Sequence, residues 1–287
     1  MKDPNGSGTV QFRSMRPEDL PEVHKLSLAT LWPHRLEDWK FILEIGEGIV
    51  AEDGTGIIGT VMYWLHGTDY AWLGMTIVSP DHRHQGLGRE LVSRALNATG
   101  DRTVLLHTTS DGVPLFESFG FRQTCWVHRH QGSVFHYPFV PLSAGERIRP
   151  ISPRDEAALA DMASRSSGMP RAPLIKHLLT VADVVAIDRY GDLIAFAALR
   201  KFGHGFVIGP VIAPDIDRAK ALIAHWAGSR AGSFVRADVP DSSGLSSWLT
   251  DMGLVQVDET VQAMVRGKPP LPDASITRFA LLSQSLG

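Results

Sequence analysis

The residues best suited to chemistry lie in one segment, VSPDHRHQGLGREL at residues 78–91, between an apolar strand and a helix. The first turn of a helix leaves backbone N–H groups without partners and carries partial positive charge. Gly86 and Gly88 lack the Cβ atoms that would keep an anion away from these amides, and Arg83 and Arg89 add positive charge. The segment therefore predicts a site for phosphate or pyrophosphate, with a plain tight turn as the alternative.

Two other phosphate-binding motifs are excluded at this segment. No Gly-Lys-Ser/Thr follows the glycines, as a P-loop requires. The dinucleotide fingerprint needs a third glycine where this chain has Leu91.

An internal repeat determines the domain organisation. Residues 13–19, 49–51, 77–81 and 116–121 match residues 149–155, 184–186, 211–215 and 249–254 in the same order. The offset drifts only from 136 to 133, which indicates two copies of a unit of about 135 residues, too long for a solenoid repeat. We expect domains at 9–140 and 146–266, a turn-rich boundary near Pro141–Glu146, and a C-terminal tail at 267–287.

Each copy predicts the element order β-α-α-β-β-β-α-β-α-β-β, a mixed α/β fold with a mixed sheet. The elements expected in the first copy are strand Thr9–Met15, a helix from Pro17, helix Leu36–Ile45, strands Ile49–Glu52, Ile57–Leu65 and Tyr70–Val78, helix Gly88–Asn97, strand Thr103–Thr108, helix Val113–Phe119 and two closing strands between Phe121 and Val140. The second copy repeats this order and ends in a strand to Arg266.

Composition narrows the class of protein. The chain has 287 residues, of which 44% are hydrophobic, and a formal charge of -3, which offers no general attraction to nucleic acid or an anionic membrane. No apolar run reaches the 18 residues of a membrane span, and the polar N-terminus does not resemble a secretion signal. Cys125 is the single cysteine, which excludes an intrachain disulfide. We expect a cytoplasmic globular protein.

The motif Arg83-x-x-Gly86-x-Gly88, after a strand that ends Val78-x-Pro80, resembles the acyl-coenzyme A signature of the GNAT N-acetyltransferases. The predicted element order is also that of this family. Residues 115–121, LFESFGF, resemble its second signature, usually Leu-Tyr-Glu-x-x-Gly-Phe. The resemblance covers residues 9–140 and extends more weakly over 146–266. It implies acetyl-CoA or another acyl-CoA as co-substrate, and no metal.

The resemblance also implies roles for individual residues. Backbone groups of Ile77 and Val78 would pair with the pantetheine arm, and the thioester would face Thr108 and Thr109. The amides expected to cradle the pyrophosphate are those of Arg83, His84, Gln85, Gly86, Leu87, Gly88 and Arg89. In the family an amine attacks the thioester directly, so that proximity and carbonyl polarisation supply much of the rate.

The chain departs from the family at Phe116, which stands where a tyrosine often protonates the leaving thiolate. Another group acts as the acid, the thiolate leaves with hydrogen-bond stabilisation alone, or the domain is a weak catalyst. His107 is the nearest titratable substitute, and a structural histidine is the alternative. The strand Ala71–Val78 also lacks the carboxylate that serves as a base in many relatives.

Acceptor contacts are expected from aromatic and polar residues of the first copy. Trp32, Trp39 and Trp64 are candidate walls of the acceptor groove, with burial in the core as the alternative. Candidates for polar contact with the amine are Tyr63, His66, Asp69 and Tyr70.

The sequence favours structural roles for a histidine cluster and for the single cysteine. His128 and His130, with His136 nearby, lack a completing cysteine or carboxylate, so no metal site is expected. Cys125 lies in an apolar strand, where a free cysteine is usually inert.

The second copy loses the phosphate-binding features of the first. At a constant offset, Asp217, Lys220 and Leu222 replace Arg83, Gly86 and Gly88. Carboxylates at the helix start would repel a pyrophosphate. The second copy would instead close the acceptor site, add rigidity or form a homodimer surface.

The sequence therefore predicts a tandem protein that transfers an acyl group to a primary amine of a small molecule or peptide. The alternatives are a non-catalytic acyl-CoA-binding module and a protein lysine acetyltransferase.

Overall fold

The computed structural model describes residues 9–135, 137–257 and 260–287 of the chain. The fold is mixed α/β and divides into two compact units, unit 1 up to Val104 and unit 2 from Leu105 to Gly287. No helix in these described ranges is long and apolar enough to cross a membrane.

Unit 1 is an antiparallel sheet in the order β1-β2-β3-β4, with helices packed against it. Its elements are β1 Gln11–Ser14, α1 Leu20–Ala29, α2 Leu36–Leu43, β2 Glu47–Asp53, β3 Gly56–His66, β4 Tyr70–Val78 and α3 Leu87–Thr99, and β5 Thr103–Thr108 crosses into unit 2. The expected hairpin turn at residues 53–56 joins β2 to β3. Leu91, Val92 and Ala95 form the buried face of α3, as the periodicity predicted.

Unit 2 contains one mixed sheet in the order β13-β6-β11-β10-β9-β8-β7, in which β10 and β11 are parallel. Its elements are α4 Val113–Glu117, β6 Arg122–Ser133, β7 Glu146–Pro150, α5 Glu156–Ser167, α6 Ala172–Leu178, β8 Asp183–Arg189, β9 Asp192–Phe202, β10 Gly205–Ala213, α7 Ile216–Ser229, β11 Phe234–Pro240, α8 Ser246–Asp251, β12 Val255–Gln256, β13 Val261–Arg266 and β14 Thr277–Ala280. The core lies between this sheet and α7, whose Leu222, Ile223 and Trp226 are buried there.

The two copies share an ion-pair network. Arg13 bridges Asp19 at 2.6 Å and Glu52 at 2.7 Å, which fixes β1 to β2 and to the turn before α1. The same network joins Arg149, Asp155 and Asp188 in unit 2, at an offset of 136. Because all of these side chains except Asp188 are only partly buried, the network contributes little to stability and serves mainly as a structural marker of the repeat.

The copies also share a bulge in the strand before the chemical loop. In β4, three residue steps from Gly74 to Ile77 oppose two steps in β3. In β10, the same excess occurs between Ile208 and Val211, at an offset of 134. An extra residue bends the strand, and such bulges are frequent beside binding sites.

The compact units do not follow the expected boundary near Pro141–Glu146. β6 belongs to the first copy in sequence, but it pairs with β11 and β13 of the second copy. This pairing places the end of the first copy inside unit 2. The expectation of two closing strands between Phe121 and Val140 is wrong, because β6 is followed by residues 137–145 without regular structure.

The expected tail at 267–287 is also part of the fold. β14 pairs with β10, and Leu281, Leu282 and Leu286 are fully buried. Burial of these leucines anchors the segment, which the repeat could not predict because the first copy has no counterpart.

Candidate functional site

The chemical segment of unit 1 begins at the end of β4. Ile77 is buried and pairs with Thr60 of β3, and Val78 is half-buried. The amide of Ser79 then donates to the carbonyl of Ile58 at 2.8 Å, which fixes the point where the chain leaves the sheet.

Eight residues, 79–86, connect β4 to α3. They begin with a short 3-10 turn at Pro80–His82 and end in left-handed backbone at His84 and Gly86, with φ of 63° and 84°. A glycine adopts this conformation without steric cost, whereas it is uncommon for other residues, although His is among the types that adopt it most often, with Asn and Asp.

The start of α3 is open. Gly86 is the residue before the helix, and no side chain caps the first turn. A Cβ atom added at Gly86 would meet no atom within 4 Å, so the missing side chain leaves free space. Leu87, Gly88 and Arg89 supply the next backbone amides, and Gly88 is half-buried. Uncapped amides, positive helix-end charge and open space fit an anionic ligand.

Side chains of the loop add positive charge at its surface. Arg83, His84, Gln85 and Arg89 are exposed. Arg83 Nε donates to the carbonyl of Val78 at 3.5 Å, and Gln85 Nε2 donates to that of Asp81 at 3.4 Å, both long hydrogen bonds. The long hydrogen bonds hold Arg83 and Gln85 only weakly, and all four side chains are accessible to a ligand.

A histidine–aspartate contact that the sequence did not suggest ties the loop to the β2–β3 hairpin. His82 Nε2 lies 3.4 Å from Asp53 Oδ2, and Asp53 also accepts from the amide and hydroxyl of Thr55. These hydrogen bonds from Thr55, followed by the charge of His82, lower the pKa of Asp53. The pair connects residues 29 positions apart, which no local sequence pattern reveals.

The matching loop of unit 2 is shortened rather than only substituted. Two residues, Pro214 and Asp215, separate β10 from α7, in place of the eight residues in unit 1. The expected one-to-one replacements are therefore wrong: Lys220 and Leu222 lie inside α7 and do not stand at its start. An ungapped offset misplaced them because it could not detect a deletion.

A carboxylate occupies the start of α7. Asp215 precedes the helix and accepts from the amide of Arg218 at 3.0 Å, a standard N-cap. The Arg218 side chain pairs with Asp215 and, at 2.6 Å, with Glu146. Asp215 is therefore a carboxylate at this helix start, as expected from the sequence, and exposed Asp217 lies beside it.

The C-terminal segment occupies the strand position that the cofactor arm would take in unit 2. β14 pairs antiparallel with Val211, Ile212 and Ala213, the repeat equivalents of Ile77, Val78 and Ser79. β10 and β11 pair only at residues 206–207 and 235–236. Beyond them the amide of Leu281 donates to the carbonyl of Asp238 in β11 at 2.8 Å. The segment thus lies between β10 and β11 where these strands diverge.

His107, the substitute candidate for the acid, is tied to the same segment. Its Nδ1 donates to the carbonyl of Gln284 at 2.8 Å. Burial, and to a lesser extent the charges of Arg278 and Arg171, lower the pKa of His107 to about 4. The imidazole is therefore neutral at pH 7, which argues against its service as a proton donor there.

The residues near the second signature are largely core. Phe116 on α4 is buried and meets Phe121 edge-on, with ring centroids 5.7 Å apart. Thr108 is buried and its hydroxyl donates to the carbonyl of Thr109, which is half-buried. Neither phenylalanine can transfer a proton.

Two of the three tryptophan candidates are core residues, contrary to the expectation of groove walls. Trp39 is fully buried and donates to Ser27 Oγ at 3.1 Å. Trp64 is buried to 1% and donates to the carbonyl of Ile42 at 2.9 Å. Trp32 is half-buried and lies 5.7 Å from the ring of His34, so it alone stays a groove candidate.

Among the polar candidates, Tyr63 has a partner that the sequence did not suggest. Its hydroxyl donates to Glu47 Oε2 at 2.8 Å across the β2–β3 pair. Burial and this carboxylate raise the pKa of Tyr63 to about 12. Of the others, His66 is buried, Tyr70 is half-buried and Asp69 is exposed.

The histidine cluster and the free cysteine, for which the sequence favours structural roles, contact neighbouring parts of the fold. His130 is buried and its Nδ1 donates to the carbonyl of Leu254 at 3.0 Å, while His128 Nδ1 lies 3.1 Å from Gln256 Nε2. His136 lies outside the described residues, and within them no three metal-ligating side chains form a group. Burial raises the pKa of Cys125, which packs against an apolar cluster.

The sequence and the fold are similar to those of proteins described as acetyltransferases. One family model described as "Acetyltransferase (GNAT) domain" matches residues 44–123, and a second with the same description matches residues 159–280. The uncharacterized N-acetyltransferase YitH of Bacillus subtilis (strain 168) is 26% identical over 264 residues, which are 89% of this chain and 91% of that protein.

Solved structures share the fold over nearly the whole chain. A candidate acetyltransferase from Pyrococcus horikoshii has a TM-score of 0.80 at 16% identity and covers 100% of this chain and 99% of its own. A tandem GNAT protein from the clavulanic acid biosynthesis pathway has a TM-score of 0.65 at 13% identity, with 90% and 98% covered. The chain therefore belongs to the GNAT acetyltransferase family and contains two GNAT domains in tandem.

Proposed function

We propose that the protein is an N-acetyltransferase that binds acetyl-CoA or another acyl-CoA on unit 1 and transfers the acyl group to a primary amine. The open, uncapped start of α3 carries this proposal. Gly86 leaves space for a pyrophosphate, and the amides of residues 87–89 and the side chains of Arg83 and Arg89 offer donors to it.

The chemistry that fits these residues is direct transfer. The amine nitrogen attacks the thioester carbonyl, the C–N bond forms, the C–S bond breaks, and coenzyme A leaves as a thiolate. The ammonium proton passes to solvent, and the thiolate takes up a proton from solvent. Binding of both reactants lowers the entropic part of the barrier, which is where the protein contributes most.

Two side chains lie nearest the position of the family's acid, and neither is suited to donate a proton at pH 7. This favours proton transfer from solvent. Phe116 has no proton to give, and His107 is neutral at pH 7 because its pKa is lowered to about 4. A coenzyme A thiolate that leaves with hydrogen-bond stabilisation alone does not require either residue.

The acceptor we propose is a small molecule or a peptide with a primary amine. Of the three tryptophan candidates for the groove, Trp32 is the one that is accessible to such an acceptor. Lysine side chains of proteins are a further acceptor class, which the experiment includes.

Titration calorimetry with coenzyme A, followed by thiol-release assays with acetyl-CoA, tests the proposal. The amine panel should include polyamines, amino sugars, peptide α-amines and lysine peptides. We expect one coenzyme A site per chain and turnover on at least one amine. Absence of coenzyme A binding would refute the proposal outright.

A non-catalytic acyl-CoA-binding module is the second candidate, and buried Phe116 is the observation that favours it. Binding of coenzyme A without turnover on any amine would support it. Phe116→Tyr should leave coenzyme A affinity unchanged and raise turnover if a missing acid limits the reaction. Phe121→Tyr, in the same ring pair, is the matched control.

A further inference from the structure

The connection from β4 to α3 is held to the β2–β3 hairpin at two points. At the first, the amide of Ser79 donates to the carbonyl of Ile58 at 2.8 Å. At the second, His82 Nε2 lies 3.4 Å from Asp53 Oδ2. Both contacts come before residues 83–86, the exposed segment that leads to the open start of α3. The second contact therefore fixes the end of this segment that faces the hairpin.

The exposed segment has little else to hold its shape. All four of its residues lie at the surface, and the first buried residue after them is Leu87. Arg83 and Gln85 make side-chain hydrogen bonds of 3.5 and 3.4 Å to nearby carbonyl groups, both long. A segment that must be ordered when a ligand binds costs affinity. The contact at His82 lowers this cost by restricting the segment in advance.

Asp53 is itself held in place to receive His82. Its Oδ1 accepts from the amide and the hydroxyl of Thr55 at 2.7 and 2.6 Å, which leaves Oδ2 for the imidazole. These hydrogen bonds, followed by the charge of His82, lower the pKa of Asp53, so its carboxylate is ionised at neutral pH. The Asp53 side chain is 9% exposed and that of His82 is 27% exposed, so the imidazole can exchange protons with solvent.

The charged groups that flank the pair are exposed or have partners of their own. They are Asp81 and Arg83 in the loop, Glu52 and its partner Arg13 on the sheet, and Glu22 of α1, which accepts from a hairpin amide. An imidazole is the side chain that gains or loses its charge between pH 5 and 8. Protonation of His82 is therefore the change in this range that strengthens its contact with Asp53.

The second copy separates this pair from the needs of the fold. Its β8–β9 hairpin has a turn of the same length, and Arg189 takes the register position of Asp53 beside that turn. Arg189 pairs with Glu146 instead. The described connection from β10 to α7 ends at Asp215, so it has no residue in the place of His82. The hairpin thus forms without the pair, and the pair accompanies the glycine loop.

We propose that His82, held by Asp53, is a positioning residue that keeps residues 83–86 in the shape that receives the pyrophosphate of coenzyme A. Neither side chain needs to touch the ligand. Protonation of His82 strengthens the contact, so the contribution of the pair to coenzyme A affinity is largest in mild acid and decreases as pH rises. The inference rests on the proposed function, because it assigns the pair a role at the same site.

Titration calorimetry with coenzyme A at pH 6 and pH 8.5 tests the pair in the full-length protein. At pH 6, His82→Gln and Asp53→Asn should each raise the Kd by about three- to fivefold, the size expected for a partly exposed charged contact. The double variant should lose no more than either single variant. At pH 8.5, where an imidazole is neutral, the variants should differ from the unmodified protein by less than about twofold.

The controls separate the pair from general effects. Asp53→Asn keeps an acceptor oxygen for Thr55, so the hairpin turn is retained. His204→Gln changes an exposed histidine in the β9–β10 turn of unit 2 and should leave the Kd and its pH response unchanged. Titration of the phosphates of coenzyme A is common to all the proteins compared. Losses that multiply in the double variant would overturn the proposal, as would equal pH responses in His82→Gln and the unmodified protein.

Trypsin cleavage after Arg83 gives a second measurement that does not need coenzyme A. Proteolysis requires a local opening of the chain, so the rate in the ligand-free protein reports how firmly the segment is held. At pH 7, His82→Gln and Asp53→Asn should be cleaved there about twofold faster or more, and His204→Gln should not. Equal cleavage rates would overturn the inference. Failure of the unmodified protein to bind coenzyme A would instead refute the proposed function, so the two failures are distinguishable.

Discussion

The two helix starts of the repeat, at α3 and α7, have the same place in the fold and opposite chemistry. Before α3 stands Gly86, with left-handed backbone, no capping side chain and open space where a Cβ atom would lie. Before α7 stands Asp215, whose carboxylate accepts from an amide of the first turn. The first helix end has no side-chain cap, whereas the second is capped by a carboxylate of the chain itself.

The strands that precede these helices, β4 and β10, differ in a similar way, because only β10 is covered by another segment of the chain. The bulge is present in both β4 and β10, so this backbone feature is preserved in both copies. In unit 2, however, β14 lies on the residues that match Ile77–Ser79. A protein strand there satisfies the same backbone groups that a pantetheine arm would use. In unit 2 the chain's own groups, β14 and Asp215, therefore occupy the strand position and the helix start.

The largest expected effect comes from filling the open helix start. Gly86→Val should weaken coenzyme A binding by about 100-fold or more, because it blocks several charged hydrogen bonds worth about 1.5–3 kcal/mol each. Titration calorimetry measures the loss.

Gly191→Val is the matched control for backbone strain. Gly191 also has positive φ and no atom within 4 Å of an added Cβ, but it lies in the β8–β9 turn of unit 2. Equal coenzyme A affinity in the Gly86 variant and the unmodified protein would remove the pyrophosphate assignment.

A pH effect tests whether the C-terminal segment is a fixed part of unit 2. The pKa of His107 is lowered to about 4 in the fold, so the unfolded chain binds a proton more readily between pH 6.5 and 4. Stability is therefore complete above pH 6.5 and decreases as pH falls through this window. Between pH 7 and 5, His107 should cost about 2 kcal/mol of unfolding free energy.

Urea unfolding of the protein and of His107→Gln at both pH values measures this cost. The variant should lose less stability on acidification by that amount, because glutamine does not titrate. His84→Gln, an exposed histidine of the unit 1 loop, should behave like the unmodified protein. Parallel losses in all three proteins would contradict the assignment.

The smallest expected effect comes from opening the second helix start. Asp215→Ala removes the N-cap of α7 and should lower the unfolding free energy by about 1 kcal/mol. It should not create a second coenzyme A site, because the connecting loop is six residues shorter than in unit 1 and β14 still occupies the strand position.

Thermal unfolding and coenzyme A stoichiometry check both parts of this expectation. Asp217→Ala is the control, since Asp217 is exposed in the same turn. Two coenzyme A molecules bound per chain of Asp215→Ala would show that the carboxylate alone, rather than the lost loop, prevents unit 2 from binding coenzyme A.

Most elements could be predicted from local patterns. β4 and β5 were predicted without error, and α3 and the β2–β3 hairpin within two residues, because periodicity and the turn residues 53–56 are local signals. The fixed offset between the copies misplaced residues of the loop before α7, because an ungapped comparison cannot detect a deletion.

The tryptophans illustrate a different limit. Residue type alone does not distinguish a groove wall from a core residue, and only the packing around Trp39 and Trp64, together with their partners Ser27 and Ile42, decides it. The contact of Asp53 with His82 was likewise invisible, since it joins a turn to a distant loop.

The sequence by itself determined the repeat, the family and the chemical asymmetry of the two loops, because these depend on residue types and on spacing along the chain. Only the tertiary structure decided which residues share a site. It assigned β6 to the sheet of unit 2, placed β14 and Leu281 between β10 and β11, and brought Arg171 and Arg278 to one pocket. Strand pairing and burial join residues more than 100 positions apart, and such contacts are set by the packing of the whole chain rather than by any local pattern.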